Sequence, residues 1–253
     1  MIRTLITRWR QGHRTIRYPD ALAVLPERFR GLPAIDSAQC PNGCRECVDA
    51  CPTGAVSVEG GHVRVHLGRC LFCPECAQAC PHGAIGFTTD HRLAVSDPRD
   101  LLTDGREYRL ARQLDEASMR LFGRSLRLRQ VSAGGCAGCE VETNVLGTVV
   151  FDLGRFGIQF VASPRHADGL LVTGPVTRNM AAALEKTYAA IPTPRIVIVV
   201  GACAISGGPY RGHPEALDGA ASVGPAVLYV PGCPPHPLTI LDGLLRLLGR
   251  IGS

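Results

Sequence analysis

Twelve cysteines stand in this chain, and their spacing is that of cluster ligands. In Cys70-x2-Cys73-x2-Cys76-x3-Cys80-Pro81, three thiolates wrap one [4Fe–4S] cube and the fourth, before proline, reaches a second cube. Cys44, Cys47 and Cys51 repeat this spacing 29 residues earlier. The flanks repeat as well: Cys51-Pro-Thr-Gly-Ala-Val56 matches Cys80-Pro-His-Gly-Ala-Ile85. Crossed ligation assigns Cys40, Cys44, Cys47 and Cys80 to one cluster, and Cys51, Cys70, Cys73 and Cys76 to another. The Cys40-x3-Cys44 interval is one residue longer than the pattern. Pro41-Asn42-Gly43 absorbs it as a turn, with a three-ligand [3Fe–4S] site as the alternative. Two CxxC pairs also suit zinc, but nested repeats that each close in Cys-Pro favour cubes.

The remaining cysteines, Cys136, Cys139, Cys203 and Cys233, occupy three Gly/Pro-rich turns. These are Gly-Gly-Cys136-Ala-Gly-Cys139-Glu, Gly-Ala-Cys203-Ala-Ile-Ser-Gly-Gly and Pro-Gly-Cys233-Pro-Pro. Gly134, Gly135, Gly138, Gly201 and Gly232 lack a Cβ and admit close backbone approach to a cluster. Four thiolates meeting there suit a third iron–sulfur cluster. A zinc site or four separate core thiols would also satisfy the residues taken alone.

Each of these turns follows a β-branched run: Leu126–Val131, Arg195–Val200 and Ala226–Val230. Further strands are expected at 157–161 and 169–173, and helices at 140–153, 176–190 and 239–248. Short strands separated by helical segments predict a parallel, doubly wound sheet, whose ligand edge is the carboxyl ends of the strands. Upstream, Gly60-Gly61 between 55–58 and 62–65 predicts a hairpin. The fold class is thus an α+β two-cluster ferredoxin-like domain followed by an α/β flavodoxin-like domain with a parallel sheet. Four segments follow: a basic amphipathic N-terminal arm at 1–36, the ferredoxin-like domain at 37–95, a linker with a packing helix at 96–127, and the second domain at 128–253. In the linker, Leu110, Leu114, Ala117 and Leu121 are expected on one helix face.

At 45% hydrophobic and 19% charged residues, the 253-residue chain is globular rather than disordered. Its length and the lack of a secretory leader argue against a disulfide scaffold and for a reducing compartment, the cytoplasm. No apolar run reaches the roughly 18 residues of a spanning helix. Residues 1–31 hold seven arginines against Asp20 and Glu27, so this arm carries the whole formal excess of +5. Confinement of the charge to one arm argues against a nucleic-acid face. Ile2, Leu5, Ile6 and Trp9 recur there at helical spacing among Arg3, Arg8 and Arg10. That pattern fits either packing on the chain's own domain or docking at a membrane-facing partner. No phosphate-binding Gly-x4-Gly-Lys-[Ser/Thr] loop and no persuasive Gly-x-Gly-x-x-Gly is present, which excludes ATP and NAD chemistry.

Residues 124–240 resemble the small-subunit family shared by complex I, as its 20-kDa-type subunit, and the energy-converting NiFe hydrogenases, including formate hydrogenlyase. The resemblance rests on Gly-Gly-Cys136-Ala-Gly-Cys139-Glu-Val-Glu142, Arg155-Phe-Gly-Ile158, 163–174, 201–208 and Pro231-Gly-Cys-Pro-Pro235. Residues 12–92 resemble the two-cluster ferredoxin subunit of the same complexes, including Tyr18-Pro19 and Phe29-Arg-Gly31. The chain therefore looks like a fusion of two neighbouring subunits. The resemblance implies three [4Fe–4S] clusters, with the one on Cys136, Cys139, Cys203 and Cys233 proximal to a 49-kDa-type large subunit. It also implies membrane-embedded subunits of the same complex, an upstream iron–sulfur or redox donor subunit, and a peripheral position on the inner face of the cell membrane. Complex I relatives carry two adjacent cysteines at the first turn, whereas Ala137-Gly138 separates them here, as in the hydrogenases. The expected role is a non-catalytic electron-transfer subunit of a hydrogenase-like complex. A complex I-like quinone oxidoreductase is the alternative, and a stand-alone ferredoxin-type carrier a third. The resemblance also marks Glu142, and Arg165 with its neighbour His166, as polar groups near the proximal cluster.

Overall fold

The computed structural model describes residues 2–21 and 23–252. Met1 of the arm, Leu22 and the final Ser253 lie outside the described residues. The arm begins with α1 (Ile2–Gln11) and continues without regular structure to β1 (Pro33–Ile35). The ferredoxin-like part holds α2 (Glu46–Asp49), β2 (Val56–Glu59), β3 (His62–His66), α3 (Glu75–Ala79), β4 (Ile85–Phe87) and β5 (Leu102–Thr103). β1 pairs with β4, and β2–β3–β5 form a second small antiparallel sheet. The β2–β3 hairpin turns on Gly60 and Gly61, both at positive φ, which a side chain would resist. Val56, Val63, Val65 and Ile85 fill the core beneath these sheets.

The segment expected to be a linker with a long packing helix differs. β5 joins the small sheet, and only α4 (Glu116–Phe122) is helical. Leu110 and Leu114 lie in extended chain because their neighbourhood spends its backbone bonds elsewhere. The Ala111 N–H donates to Ala94 and the Leu114 N–H to Leu247. The Asp115 side chain then accepts from the Ser118 N–H and starts the helix. Leu121, expected in the packed face, is exposed.

The second part comprises β6 (Leu126–Ser132), α5 (Gly138–Val145), β7 (Ile158–Phe160), β8 (Gly169–Thr173), α6 (Arg178–Ala189), β9 (Ile196–Val200), α7 (Ala202–Ser206), β10 (Leu228–Val230) and α8 (Pro237–Leu247). Its five strands are all parallel in the order β10-β9-β8-β6-β7, the flavodoxin-like order. Strict alternation explains the two covered faces. In β9, Ile196, Ile198 and Val200 face the core under α8, while Val197 and Val199 join Leu184 of α6 on the other side. α5 is shorter than expected: the Gly147 and Thr148 N–H groups close on Asn144 and Val145, and the Thr148 hydroxyl also donates to Val145.

Two seams join the parts. Val95 exchanges both backbone hydrogen bonds with Tyr229, covering the β10 edge of the sheet. Ser206 of α7 donates to the Gly68 carbonyl at 2.7 Å, and Ile205 packs into the ferredoxin-like core.

Candidate cluster sites

Twelve free thiols lie in three neighbourhoods. In the first, burial and then Cys80, Cys40 and Cys44 push the Cys47 thiol up. Burial, Cys44 and Cys80 do the same to Cys40. In the second, burial raises Cys70 to about 12, with Cys76, Cys51 and Cys73 adding to it. Burial, Cys51 and Cys73 take Cys76 to about 11. Cys80 thus lies near Cys40 and Cys47, and Cys51 near Cys70 and Cys76. Burial opposes the Cys51 thiolate, but N–H groups of Thr53, Ala55 and Val56 outweigh it and lower the value.

The repeat reappears as matched hydrogen bonds. The Ala55 N–H donates to Cys51 Sγ at 3.2 Å and the Ala84 N–H to Cys80 Sγ at 3.3 Å. Such N–H···S contacts stabilise negative charge on the sulfur.

The third neighbourhood forms at the carboxyl edge of the parallel sheet. Cys136 follows β6, Cys139 opens α5, Cys203 lies in the first turn of α7 after β9, and Cys233 follows β10. Burial, then Cys203, Glu140, Cys233 and Cys136, push Cys139 well up. Burial, Cys233 and Cys136 take Cys203 to about 11. Cys136 and Cys233 are exposed at the rim, Cys203 is buried. At Gly201, φ is +92° and a Cβ would collide with Cys139 Sγ, so only glycine fits between these thiols. All-sulfur donor sets, N–H···S contacts and this bare backbone fit iron–sulfur clusters. Among the described residues, no three His, Cys, Asp or Glu side chains close around a single ion.

The neighbourhoods lie near one another in series, and Phe72 and Cys233 line one cleft. Cys47 of the first contributes to the rise of Cys76 in the second. Cys73 of the second contributes to that of Cys233 in the third, after burial and Cys136. Sequence spacing held no sign of the Cys73–Cys233 approach, which arises where the two parts dock.

Glu142 borders a cleft of about 220 Å³ with Arg28, Arg30, Phe72, Cys233 and His236, and burial raises its carboxyl. Arg165 and His166 form no hydrogen bond or ion pair with another side chain among the described residues. They sit on the short turn Pro164–His166 that enters β8 at its amino end, where Asp168 bonds Arg127. The cysteine turns leave the opposite ends of the strands. A group not singled out from sequence lies beside the thiols: Glu140, held by the Thr173 hydroxyl at 2.7 Å and close enough to raise Cys139 and Cys203. Its position one residue after Cys139 was the available signal.

Fold and site together define an iron–sulfur protein: a dicluster ferredoxin-like part followed by a flavodoxin-like part with a thiol-lined sheet edge. Residues 39–84 match the 4Fe-4S dicluster domain family, and residues 136–247 match the family of the NADH ubiquinone oxidoreductase 20 Kd subunit. A probable membrane-bound hydrogenase subunit, mbhJ, of Pyrococcus furiosus is 39% identical over 53% of this chain and 80% of its own length. Formate hydrogenlyase subunit 7 of Escherichia coli is 43% identical over 51% of this chain and 50% of its own. An NADH-quinone oxidoreductase subunit of Heliobacterium modesticaldum is 40% identical over 47% of this chain and 69% of its own. The chain belongs to the 20 Kd subunit family, with a 4Fe-4S dicluster domain ahead of the family region. Among its described residues no helix is long and apolar enough to cross a membrane.

Proposed function

We propose that the chain is an electron-relay subunit holding three [4Fe–4S] clusters in series, on Cys40/Cys44/Cys47/Cys80, Cys51/Cys70/Cys73/Cys76 and Cys136/Cys139/Cys203/Cys233. The observation that carries the reading is the gathering of Cys136, Cys139, Cys203 and Cys233 at one sheet edge, joined to the ferredoxin-like thiols by the Ser206–Gly68 seam and by the cleft that Phe72 and Cys233 share. When bound, each cluster supplies one-electron carriage at a potential set by charge, hydrogen bonds to sulfur and solvent exposure. The protein supplies the remainder. N–H groups of Ala55, Phe72 and Ala84 point at sulfur, and Ser206 ties the Cys203 helix to the loop before Cys70. Exposed Cys136 and Cys233 leave the third set open toward a partner.

With all twelve cysteines assigned, no thiol remains for a catalytic metal, so the reaction belongs to a large partner subunit of the 49-kDa type. The complex is read as peripheral on the cytoplasmic face of a membrane, with membrane-embedded subunits and an upstream redox donor. The Ala137-Gly138 spacer between the first two thiols supports the hydrogenase-like branch. Similarity to the NADH-quinone oxidoreductase subunit supports a quinone-reducing complex as the second reading. Nickel in the purified complex favours the first; quinone reduction without nickel favours the second.

Cys233→Ser tests the relay. The variant is expected to keep the signals of the two ferredoxin-like clusters in electron paramagnetic resonance, lose the third, and stop turnover of the assembled complex. Normal turnover with the third signal lost would refute the relay.

A further inference from the structure

Helix α1 is the part of the chain that the relay does not use. It contributes no buried residue: Ile2 is 75% exposed, Leu5 69%, Ile6 44% and Trp9 85%. At about 100° per residue, these four side chains fall within an arc of about 100°. On the same wheel Arg8 borders one flank of the arc, Arg3 and Arg10 border the other, and Thr4, Thr7 and Gln11 lie opposite. Among the described residues, none of these arginines forms an ion pair. Arg14 and Arg17 extend the basic run, and no acid occurs before Asp20. The chain reaches its own domain only beyond the helix, where the Thr15 hydroxyl and the Ile16 N–H donate to Val149 and Val150. Both valines are themselves exposed.

Arginines on both edges of an apolar arc match a headgroup boundary, with stems along acyl chains and guanidinium groups at phosphates. A protein groove would need acids on both of its rims. We propose that α1 is a lipid-surface anchor: its apolar arc enters an anionic bilayer and Arg3, Arg8 and Arg10 hold the phosphate headgroups. This contact is direct, in addition to any attachment through partner subunits, and it does not depend on the relay reading.

Trp9 is the single tryptophan of the chain and reports on the helix alone. The purified full chain is mixed with phosphatidylcholine vesicles, with and without phosphatidylglycerol. Co-sedimentation and a blue shift of Trp9 emission are expected with the anionic vesicles, weakening as salt rises. Arg8→Gln/Arg10→Gln should lower partitioning about fivefold per arginine, since each contributes about 1 kcal/mol near an anionic surface. Leu5→Glu/Ile6→Glu should abolish it while cluster absorbance stays unchanged, because neither residue supports the core. Equal binding to neutral vesicles would overturn the charge component. Absence of binding to any vesicle, or a shift only on adding isolated membrane subunits, would overturn the lipid anchor. Either result leaves the iron content, and hence the relay reading, untouched.

Discussion

Gly201 shows how a single atom specifies the third site. Its φ of +92° disfavours any side chain, and a Cβ there would press on Cys139 Sγ. Gly201→Ala is expected to cost about 1–3 kcal/mol in backbone strain and to displace the Cys139 thiol. Iron analysis should then show a loss of about four atoms per chain with both ferredoxin-like clusters retained; full iron content would show that the turn tolerates a methyl group. That Gly201 lies beside Cys203 was legible in the sequence. Its contact with Cys139 was not, because the fold and not the local chain brings those residues together. Motif similarity marked Arg165, which precedes the amino end of β8, while the cysteine turns follow the carboxyl ends of the strands. Local spacing marked the candidate thiols, and only topology located their polar neighbours, Glu140 and Thr173 among them.

Between elements, the seams are closed by polar groups held away from water. Tyr18 of the arm donates to Asp242 of α8 at 2.6 Å, Arg246 donates to the same carboxylate at 2.8 Å, and His91 lies 3.4 Å from the Tyr18 hydroxyl. Asp242 and Arg246 are buried, so the pair holds only while both partners remain. His91, His66 and His236 are half-buried at such seams, and burial lowers the pKa of each. The folded protein keeps them neutral, whereas the unfolded chain takes up protons from about pH 6.5 downward. Stability is therefore level in this respect above pH 6.5 and falls as pH drops toward the lowered folded values. The thermal midpoint should decrease between pH 7.5 and 5.5, and His91→Gln should reduce the slope; a midpoint independent of pH would contradict the buried neutral state. Strands and the closing helix were legible from β-branched runs and apolar periodicity. The helix across 110–121 was not, because Ala111 and Leu114 bond to Ala94 and Leu247, partners that periodicity cannot reveal.

At the scale of the whole chain, fusion of a dicluster part to a flavodoxin-like part fixes the order of the three thiol sets. The Val95–Tyr229 bridge and the Ser206–Gly68 bond hold the two parts together within one chain, so the proposed relay would not depend on docking of separate subunits. The rest of the basic arm packs on this unit through Tyr18 and β1, whereas its first helix, α1, buries no residue. The central claim, three four-iron clusters on twelve thiols, is tested most directly by iron and sulfide analysis of the anaerobically purified chain, with Mössbauer spectra to identify the cluster type. The expected result is about twelve iron and about twelve sulfide per chain, all in [4Fe–4S] environments. About eight iron per chain, or zinc in place of any cluster, would contradict it.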